Sequence, residues 1–323
     1  MNRRSLKKVA AAIKKYKRFL ITTHTSPEGD ALGSELAFYR LLKKIKKQPF
    51  ILNQDHLPQE YYFLPGSQSI KSYKSINQFC FDCMVVLDCS DLNRTGKVYK
   101  LNKQNRPVIN IDHHISNNKF GEFKWIEPFA SSASEMVYLL YKEMHVPLDK
   151  ESALLLYVGI MTDTGSFRYS NTSGFTHKAV EELMLFNLDI RKIYRDIYEN
   201  ISFPDMQFLI KVLSGIHRSK DGRVAWVEIP ARLLKGRKVF FDLSEHILSF
   251  LRAIKDTQVV VLFKENFSVK DEIRFNLRSN GPVDVNKIAQ HFGGGGHKTA
   301  AGCTIAGKLK DIRRRVISRI LQS

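Results

Sequence analysis

Short apolar runs alternate with longer amphipathic segments along the first half of the chain. The runs "RFLITTH", "PFILN", "CMVVLDCS" and "PVINIDHHIS" are rich in β-branched residues and are bounded by polar or turn-forming residues, which is typical of buried strands. The segments "DALGSELAFYRLLKKIK", "SSASEMVYLLYKEM" and "DKESALLLYVGIMTDTG" have a helical period or serine caps. This alternation predicts an α/β fold with a doubly wound parallel sheet.

The second half of the chain shows a different pattern. From Asp189 to about Ile216 it is entirely helical, with "DIRKIYRDIYENIS" followed by "DMQFLIKVLSGI". Beyond this stretch, the strands "RVAWVEI", "QVVVLFKE" and "EIRFNLRS" alternate with the helices "SEHILSFLRAI" and "VDVNKIAQHF". We therefore predict a domain at residues 1–202, whose helical connector begins near residue 189, and a smaller α/β domain at residues 203–323 that includes the rest of the connector.

The predicted strands of the first domain are followed by acids and histidines. In an open parallel sheet, ligands bind at the carboxyl edge of the strands, because loops and helix N-termini converge there. Each residue alone has a structural explanation, such as a helix N-cap for Asp30 or a turn for Asp88, but their joint occurrence favours a functional site. The residues are His24, Glu28, Asp30, Asp88, Asp112, His113, His114 and Asp163.

A site with this many carboxylates requires cations. Carboxylates that lie close together repel one another unless cations bridge them, and a set of histidines and carboxylates suits divalent transition metals such as Mn²⁺, Co²⁺ or Fe²⁺. Two such ions about 3.5 to 4 Å apart can share a carboxylate, activate a water and neutralise a phosphoryl transition state. The pattern is therefore typical of a two-metal site that acts on phosphoryl groups.

Composition narrows the partners only in part. The 323 residues include 51 lysines and arginines against 32 acids, which gives a formal net charge of +19. Such a field attracts phosphorylated ligands, although a solvated basic surface also explains each basic cluster. No window approaches the roughly 18 apolar residues of a membrane span, and the basic N-terminal segment lacks the apolar centre of a signal peptide. With four cysteines that fit a reducing compartment, we expect a cytoplasmic protein with no membrane partner.

Five ordered motifs carry a resemblance to a known family. "HTSPEGDALGS", "VVLDCSD", "IDHH" and "TDTG" resemble motifs I to IV of the DHH phosphoesterase superfamily, and "FGGGGHKTAAGC" resembles the signature of its DHHA1 domain. Within the superfamily the chain is most similar to the bifunctional nanoRNase (oligoribonuclease) and pAp-phosphatase group. The resemblance implies an N-terminal DHH domain, a helical connector and a smaller DHHA1 domain. It also implies a hydrolase that degrades short oligoribonucleotides to mononucleotides and removes the 3′-phosphate of 3′-phosphoadenosine 5′-phosphate (pAp).

The resemblance also assigns roles to the strand-end residues. It implies two divalent cations, with Mn²⁺ as the expected metal. Asp112 would orient His113 from outside the metal shell, and His114 would face the substrate phosphate. The family's usual aspartate is replaced by Glu28, whose longer side chain puts the occupancy of the first metal in question. The implied ligands are His24 and Glu28 for one metal, Asp30, His113 and Asp163 for the other, and Asp88 as the bridge, with Asp88, Asp112 and His114 as the catalytic group.

The C-terminal motif predicts a substrate-binding surface. Its glycines allow close backbone approach and positive φ, which would leave N–H groups free for anionic oxygen, although a glycine run alone also fits a flexible turn. Basic side chains nearby would add charge-assisted contacts to phosphate. For Arg168 a surface salt bridge is an equal alternative. The predicted substrate contacts are Gly294, Gly295, Gly296, His297, Lys298, Arg278 and Arg168.

Several functions stay open on the sequence alone. We expect a cleft between the two domains, in which a metal-bridging hydroxide attacks phosphorus. A cyclic-dinucleotide phosphodiesterase on the same scaffold is the nearest alternative, while a single-strand DNA exonuclease would need a longer chain. A nucleotide-binding regulator whose metal site is weakened by Glu28 is an alternative of another class. A homodimer is left open.

Overall fold

The computed structural model describes residues 2–75, 80–234, 243–296 and 298–323. By its internal contacts the chain divides into two compact units, Met1–Asn200 and Ile201–Ser323. Within the described residues no helix is long and apolar enough to cross a membrane.

The first unit is built on one parallel sheet. Within its described residues the sheet has six strands in the order β3-β2-β1-β4-β5-β6, and every neighbouring pair is parallel. The order reverses between β1 and β4, as in a doubly wound fold, so the predicted fold class is confirmed. The strands are β1 (Arg18–Thr22), β2 (Gln48–Asn53), β3 (Ile70–Ser72), β4 (Cys83–Leu87), β5 (Val108–Asp112) and β6 (Phe123–Ile126).

The sheet of the first unit is buried on both faces. Alternate residues of β1 enter different clusters: Phe19 and Ile21 pack with the helices on one face, and Leu20 packs on the other. Ser132 and Asp149 cap the helices that follow them, through hydrogen bonds of 3.0 and 2.8 Å. The helices are α1 (Arg3–Lys15), α2 (Gly29–Lys44), α3 (Ala133–Glu143), α4 (Lys150–Asp163), α5 (Gly174–Met184) and α6 (Ile190–Tyr198).

Glycines bring α2 and α4 into close contact. A Cβ on Gly33 would lie 2.5 Å from the carbonyl oxygen of Leu155, and one on Gly29 would lie 2.5 Å from the side chain of Thr162. No real Cβ tolerates such distances, so only glycine permits this approach. The contact matters because α2 begins and α4 ends at the carboxyl edge of the sheet, beside Asp30 and Asp163.

The second unit has a mixed sheet. In its described residues the strand order is β11-β12-β10-β9-β8-β7, with only β8 and β9 parallel. Its strands are β7 (His217–Arg218), β8 (Val224–Ile229), β9 (Val259–Glu265), β10 (Glu272–Ser279), β11 (Gly295–Gly296) and β12 (Ala300–Ala306). Its helices are α7 (Phe203–Leu213), α8 (Ala231–Leu234), α9 (Ser244–Arg252), α10 (Val285–His291) and α11 (Leu309–Leu321).

The predicted helical connector is divided between the two units. Ile193 and Ile197 of α6 join the core of the first unit, whereas Phe208 and Leu209 of α7 pack against the second sheet. Each helix is thus held by its own unit, and the division falls between residues 200 and 201.

Candidate active site

The carboxyl edge of the first sheet gathers the residues that the sequence singles out. His24 lies two residues beyond β1, Asp88 follows β4, and His113 follows β5. These three strands are neighbours in the order β1-β4-β5, and the switch point of the sheet lies between the first two. The side chains therefore meet where a doubly wound sheet opens a crevice for ligands.

Five side chains at this edge form two overlapping donor sets. The first set is Asp88, His113 and His114, the second is Asp30, His113 and Asp163, and within each set the ligand atoms lie within 4.8 Å of one another. His113 belongs to both sets, so the two share one imidazole. Its Nε2 lies 3.4 Å from Oδ1 of Asp88, 3.7 Å from Oδ2 of Asp30 and 3.6 Å from Oδ2 of Asp163.

The carboxylates of this cluster have strongly perturbed pKa values. Burial, together with the charge of Asp88, raises the pKa of Asp30 to about 6. Burial also raises the pKa of Asp163 well above its ordinary value. Asp88 behaves in the opposite way: burial opposes ionisation, but the imidazoles of His113 and His24 hold its pKa well below the ordinary value. A bound divalent cation would favour the ionised forms of Asp30 and Asp163, whose pKa values are raised.

The donor chemistry fits divalent metal ions. Oδ1 of Asp88 is buried and makes no hydrogen bond within the described residues, since the nearby imidazole nitrogens of His113 and His114 lie 3.4 and 3.6 Å away. A buried carboxylate oxygen without such a partner is costly unless it has a cation. Imidazole and carboxylate donors suit Mn²⁺ and related transition metals without selecting one of them.

The backbone at Asp88 is unusual. Its φ is 50°, in the left-handed region that non-glycine residues seldom occupy. The backbone N–H of Asp88 donates to the carbonyl of Ile111 at 3.0 Å, which ties the end of β4 to β5. The surrounding sheet thus holds the residue in a conformation that is otherwise disfavoured, as is common at functional sites.

Asp30 joins three helices at the site. It lies in the first turn of α2, and its carboxylate accepts hydrogen bonds from the backbone N–H groups of Ala133 and Ser134 at 2.6 and 2.8 Å. It therefore caps α3 rather than its own helix. On α4, a Cβ at Gly159 would lie 2.8 Å from Oδ1 of Asp30, so only glycine leaves room for this carboxylate.

The role expected for Asp112 is wrong in one respect. We expected it to orient His113, but its Oδ1 lies 2.7 Å from Nδ1 of His114. Nδ1 of His113 lies instead 3.3 Å from the carbonyl oxygen of Ala130. Both histidines lie beyond the end of β5, where strand periodicity no longer fixes the direction of a side chain.

Asn117 is a site residue that sequence reasoning missed. Its Nδ2 donates to Oδ2 of Asp112 at 2.6 Å and to Oδ1 of Asn110 at 3.0 Å. Burial by itself would raise the pKa of Asp112, but His114 and His113 lower it to about 2. Asp112 is therefore ionised at neutral pH, with one oxygen turned to Asn117 and the other to His114. The polar run after the histidines carried no period or motif that would single out position 117.

His24 and Glu28 lie less centrally than the other predicted ligands. Nε2 of His24 is 3.5 Å from Oδ2 of Asp88, and its Nδ1 lies 2.8 Å from the carbonyl oxygen of Thr25. Glu28 is exposed. Its charge helps to raise the pKa of Asp163, but burial and the charges of Asp30 and Asp88 raise it more. Neither residue belongs to the two donor sets found among the described residues. Their assignment to the first metal stays a prediction.

Two arginines lie in the loops of the first unit. Arg168 is exposed, and its Nε donates to the carbonyl of Gly165 at 2.8 Å, so its side chain folds back on its own turn. Arg94, which the sequence did not single out, is also exposed, and its charge acts on the buried imidazole of His24. The carbonyl of Arg94 accepts the N–H of Thr25 at 2.7 Å, which ties its turn to the loop after β1.

The predicted phosphate contacts of the second unit are only partly available. Arg278 pairs with Glu245 and donates from Nη1 to the carbonyl of Leu277 at 3.0 Å. Lys298 is exposed, and His297 lies outside the described residues.

The glycine run of the second unit is used differently from our expectation. The N–H of Gly293 donates to Gln290 and that of Gly294 to Ala289, at 3.0 and 2.8 Å, so both amides end α10 and the expectation of free N–H groups is wrong for them. A Cβ at Gly294 would meet the carbonyl oxygen of Gly302 at 2.2 Å, so this glycine is required by packing. Gly295 and Gly296 form β11, and their substrate contacts stay a prediction.

Comparisons with known proteins agree with this architecture. The model of the DHH family, N-terminal domain, matches residues 18–160, and the DHHA1 domain model matches residues 232–322. The bifunctional oligoribonuclease and PAP phosphatase NrnA of Thermus thermophilus is 28% identical over 305 residues, which cover 93% of this chain and 88% of that protein. The protein of the same name from Bacillus subtilis is 27% identical over 299 residues and 90% of each chain.

A solved structure is similar over nearly the whole length. The crystal structure of an exopolyphosphatase-related protein from Bacteroides fragilis aligns with a TM-score of 0.87 and 26% identity, and covers 99% of this chain and 96% of that one. The DHHA1 match and this likeness in fold extend beyond the first sheet to the C-terminal unit.

Proposed function

The chain belongs to the DHH family and carries a DHHA1 domain, and on this premise we propose that it is a two-metal hydrolase of short oligoribonucleotides and pAp. Its products would be mononucleotides from the first substrate, and AMP with inorganic phosphate from the second. The names of the relatives in Thermus thermophilus and Bacillus subtilis support this choice of substrates. The free cysteines are consistent with the cytoplasmic location that we propose for it.

The observation that carries the proposal is the pair of donor sets that share His113. One set alone would suit a single structural or catalytic ion. An imidazole nitrogen binds one ion, so His113 would serve one of the two ions. Asp88, whose Oδ1 lies 3.4 Å from Nε2 of His113 and whose Oδ2 lies 3.5 Å from Nε2 of His24, would join two ions that act together on one phosphoryl group. When bound, such ions would supply a water activated for attack and positive charge for the developing phosphoryl oxygens.

We assign the metal ligands from the geometry and from the family resemblance together. Distances give the best support to four of the proposed ligands, namely Asp88, His113, Asp30 and Asp163. The first three are buried and Asp163 is half-buried. His24 and Glu28 complete the first site in the proposal. Mn²⁺ is the metal that the family resemblance implies, and it is one of the ions that these nitrogen and oxygen donors suit.

His114 has a separate role in the proposed reaction. Because Asp112 is ionised, Nδ1 of His114 holds its proton in the hydrogen bond to Asp112. Nε2 is then the atom that faces the substrate, where it can accept or donate a hydrogen bond to a phosphate oxygen. The second unit would hold the substrate's phosphate through Arg278, Lys298, Gly295 and Gly296.

A second candidate is a nucleotide-binding regulator without turnover. The observation that favours it is the exposed position of Glu28, outside both donor sets of the described residues. If Glu28 leaves the first metal site empty, the wild type is inert and Glu28→Asp restores turnover. We expect instead that the wild type is active with Mn²⁺ and that Glu28→Asp changes its rate only a few-fold, because the other proposed ligands are competent donors.

The experiment that tests the proposal is product analysis with Mn²⁺ on a graded substrate panel. The panel contains pAp, ribo-oligomers of two to twenty nucleotides, a cyclic dinucleotide, pyrophosphate and single-stranded DNA. We expect the rate per end to fall steeply with RNA length, and pAp to release inorganic phosphate. Equal or faster cleavage of long RNA, or preferred cleavage of the cyclic dinucleotide, would overturn the assignment.

A further inference from the structure

The first two turns of α1 carry an unusual cluster of cations. Arg3, Arg4, Lys7 and Lys8 are all exposed, and α1 contains no acidic residue. They lie at i, i+1, i+4 and i+5, so they share one side of the helix as like-charge neighbours. The four side chains and Ala11 line a surface hollow of about 480 Å³.

This arrangement is unfavourable for the helix alone. Cations near a helix N-terminus oppose the helix dipole, and like charges four residues apart repel each other. Some basic residues elsewhere in the first unit form ion pairs, as Arg18 does with Asp82 and Arg40 with Asp149. Within the described ranges of the chain, none of the four cations on α1 takes part in an ion pair. Four adjacent cations without an internal ion pair are thus available to attract an external anion.

The start of α1 lies close to the candidate active site. The backbone N–H of Asn2 donates to Oε1 of Glu127, and the backbone N–H of Glu127 donates to the carbonyl of Asp112 at 3.0 Å. Asp112 immediately precedes His113, and neighbouring strands such as β5 and β6 lie about 4.8 Å apart. The basic surface thus begins one strand away from the donor sets and continues along the helix.

The apolar side of α1 excludes a membrane as the partner. Leu6, Val9 and Ile13 are buried in the core of the first unit, with exposed fractions of 7%, 0% and 0%. A helix that binds a bilayer needs its apolar face free to enter the headgroup region. The exposed side of α1 carries mainly cations, together with the small side chain of Ala11, which suits a flexible polyanion.

We propose that Arg3, Arg4, Lys7 and Lys8 bind the phosphodiester chain of an oligoribonucleotide beyond the nucleotide that is cleaved. This inference rests on the proposed function, since it gives the same site a further binding surface for substrates longer than pAp. Contacts to the phosphodiester backbone of RNA do not depend on the base sequence, and they weaken as the salt concentration rises. They would lower the KM for longer substrates without accelerating the chemical step, because they are made equally in the ground and transition states.

The test compares two double variants on the same helix. Lys7→Gln/Lys8→Gln removes two charges from the surface, and Lys14→Gln/Lys15→Gln removes two from the other end of α1. At about 1.5 Å per residue, Lys14 lies about 16 Å further along the axis than Arg3. Glutamine keeps the helix propensity in both cases, so both proteins are expected to fold.

The first readout is binding of a fluorescein-labelled pentaribonucleotide by anisotropy, with EDTA present so that no cleavage occurs. For Lys7→Gln/Lys8→Gln we expect about fivefold weaker binding. The slope of the logarithm of the binding constant against the logarithm of the salt concentration should be smaller by about 1.4, because each lost phosphate contact accounts for roughly 0.7. The Lys14→Gln/Lys15→Gln protein is expected to bind like the wild type. Equal weakening by both variants, or by neither, would overturn the inference.

The second readout is turnover, which separates this inference from the proposed function. With Mn²⁺, the KM of Lys7→Gln/Lys8→Gln is expected to rise several-fold more for the pentamer than for pAp. A parallel rise for both substrates would show that α1 acts on the site as a whole, against the inference. If the wild type binds the pentamer through α1 but hydrolyses neither substrate, the proposed function fails while the α1 surface stands.

Discussion

Asp88 has an uncommon backbone conformation, and its carboxylate lies next to other proposed metal ligands. Its φ is 50°, and its carboxylate lies within 4 Å of His24 and His113. Asparagine tolerates the left-handed region as well as aspartate does, so Asp88→Asn changes the charge without new backbone strain. We expect this variant to fold, to lose bound Mn²⁺ and to hydrolyse pAp about a hundredfold more slowly or worse, since a neutral amide cannot balance two divalent ions.

The matched control is Asp256→Asn. Asp256 is exposed and also has a positive φ, of 64°, so the same substitution is made in a similar backbone conformation within the second unit. Metal content by atomic emission and thermal unfolding by circular dichroism should be measured for both variants. Wild-type turnover by Asp88→Asn would rule out the two-metal assignment.

Asn117 offers a second test at the level of one side chain. The amide nitrogen of Asn117 donates a hydrogen bond to Oδ2 of Asp112, and Oδ1 of Asp112 is hydrogen-bonded to Nδ1 of His114. In Asn117→Ala the carboxylate loses this support, and the imidazole loses its fixed orientation. Outer partners of this kind typically account for about 10- to 100-fold in activity, so we expect kcat on pAp to fall by that factor while KM and bound metal change little.

The neighbouring Asn118 provides the control for this prediction. Asn118 is exposed, and Asn118→Ala removes an amide of the same size one position away. Its kcat should equal that of the wild type. Loss of metal from Asn117→Ala in proportion to lost turnover would mean that Asn117 supports the structure of the site rather than the orientation of His114.

The sequence was informative about which residues gather and less so about what each one touches. The sequence predicts that four residues share a site, because each lies beside the beginning or the end of a helix or strand that the apolar pattern predicts. The structure brings these residues together: Asp30, Asp88, His113 and Asp163. The partner of Asp112 was predicted wrongly, because hydrogen bonding depends on the direction of side chains beyond the strand, where apolar periodicity no longer applies.

At the level of elements, a buried glutamate joins α2 to the first two strands. Glu35 is fully buried, and its Oε2 accepts a hydrogen bond from Nδ2 of Asn53 at 2.8 Å. Oδ1 of Asn53 in turn accepts from the hydroxyl of Thr22 at 3.3 Å. Burial raises the pKa of Glu35 from its ordinary value of 4.5 to about 8. The folded protein therefore keeps a proton that the unfolded chain releases near pH 4.5.

This difference predicts how stability depends on pH. A raised pKa in the folded state gives a contribution that is full below about pH 4.5 and is lost as the pH rises towards 8. We expect the free energy of unfolding of the wild type to fall by a few kcal/mol more over this range than that of Glu35→Gln, which has no proton to release. Urea titrations at several pH values measure it, with the exposed Glu181→Gln as control. Parallel pH profiles for wild type and Glu35→Gln would contradict the assignment.

The elements that could be predicted are those with a clear period and clear ends. The parallel strands β1, β2, β4 and β5 were legible because buried strands read as continuous apolar runs. The short β6 and the helices α5 and α11 were not recognised: β6 has only four residues, and α11 is rich in arginine, so its buried positions are separated by charges. Their formation depends on packing against elements distant in sequence.

At the level of the whole molecule, a charge of +19 is distributed over two units that each have their own core. The clusters of the first unit are drawn from residues up to Tyr198, and those of the second from residues beyond Asn200. The domain boundary predicted between residues 202 and 203 stays a prediction, and the two compact units of the structure divide between residues 200 and 201. Composition alone left nucleic acid, nucleotides and solubility open, because charge carries no information about geometry.

Separate cores predict that the first unit folds without the second. Residues 1–200 contain all proposed metal ligands together with both faces of the parallel sheet. We expect this fragment to unfold cooperatively in a thermal melt and to bind Mn²⁺, but to turn over pAp at least about tenfold more slowly, because the proposed phosphate contacts of the DHHA1 unit are missing. A fragment that ends before α4 is the control: it lacks Asp163 and the partner of α2, so it should neither fold nor bind metal. A molten 1–200 fragment would show that the first unit depends on the second for its core, whereas full turnover by it would remove the substrate role proposed for the second unit.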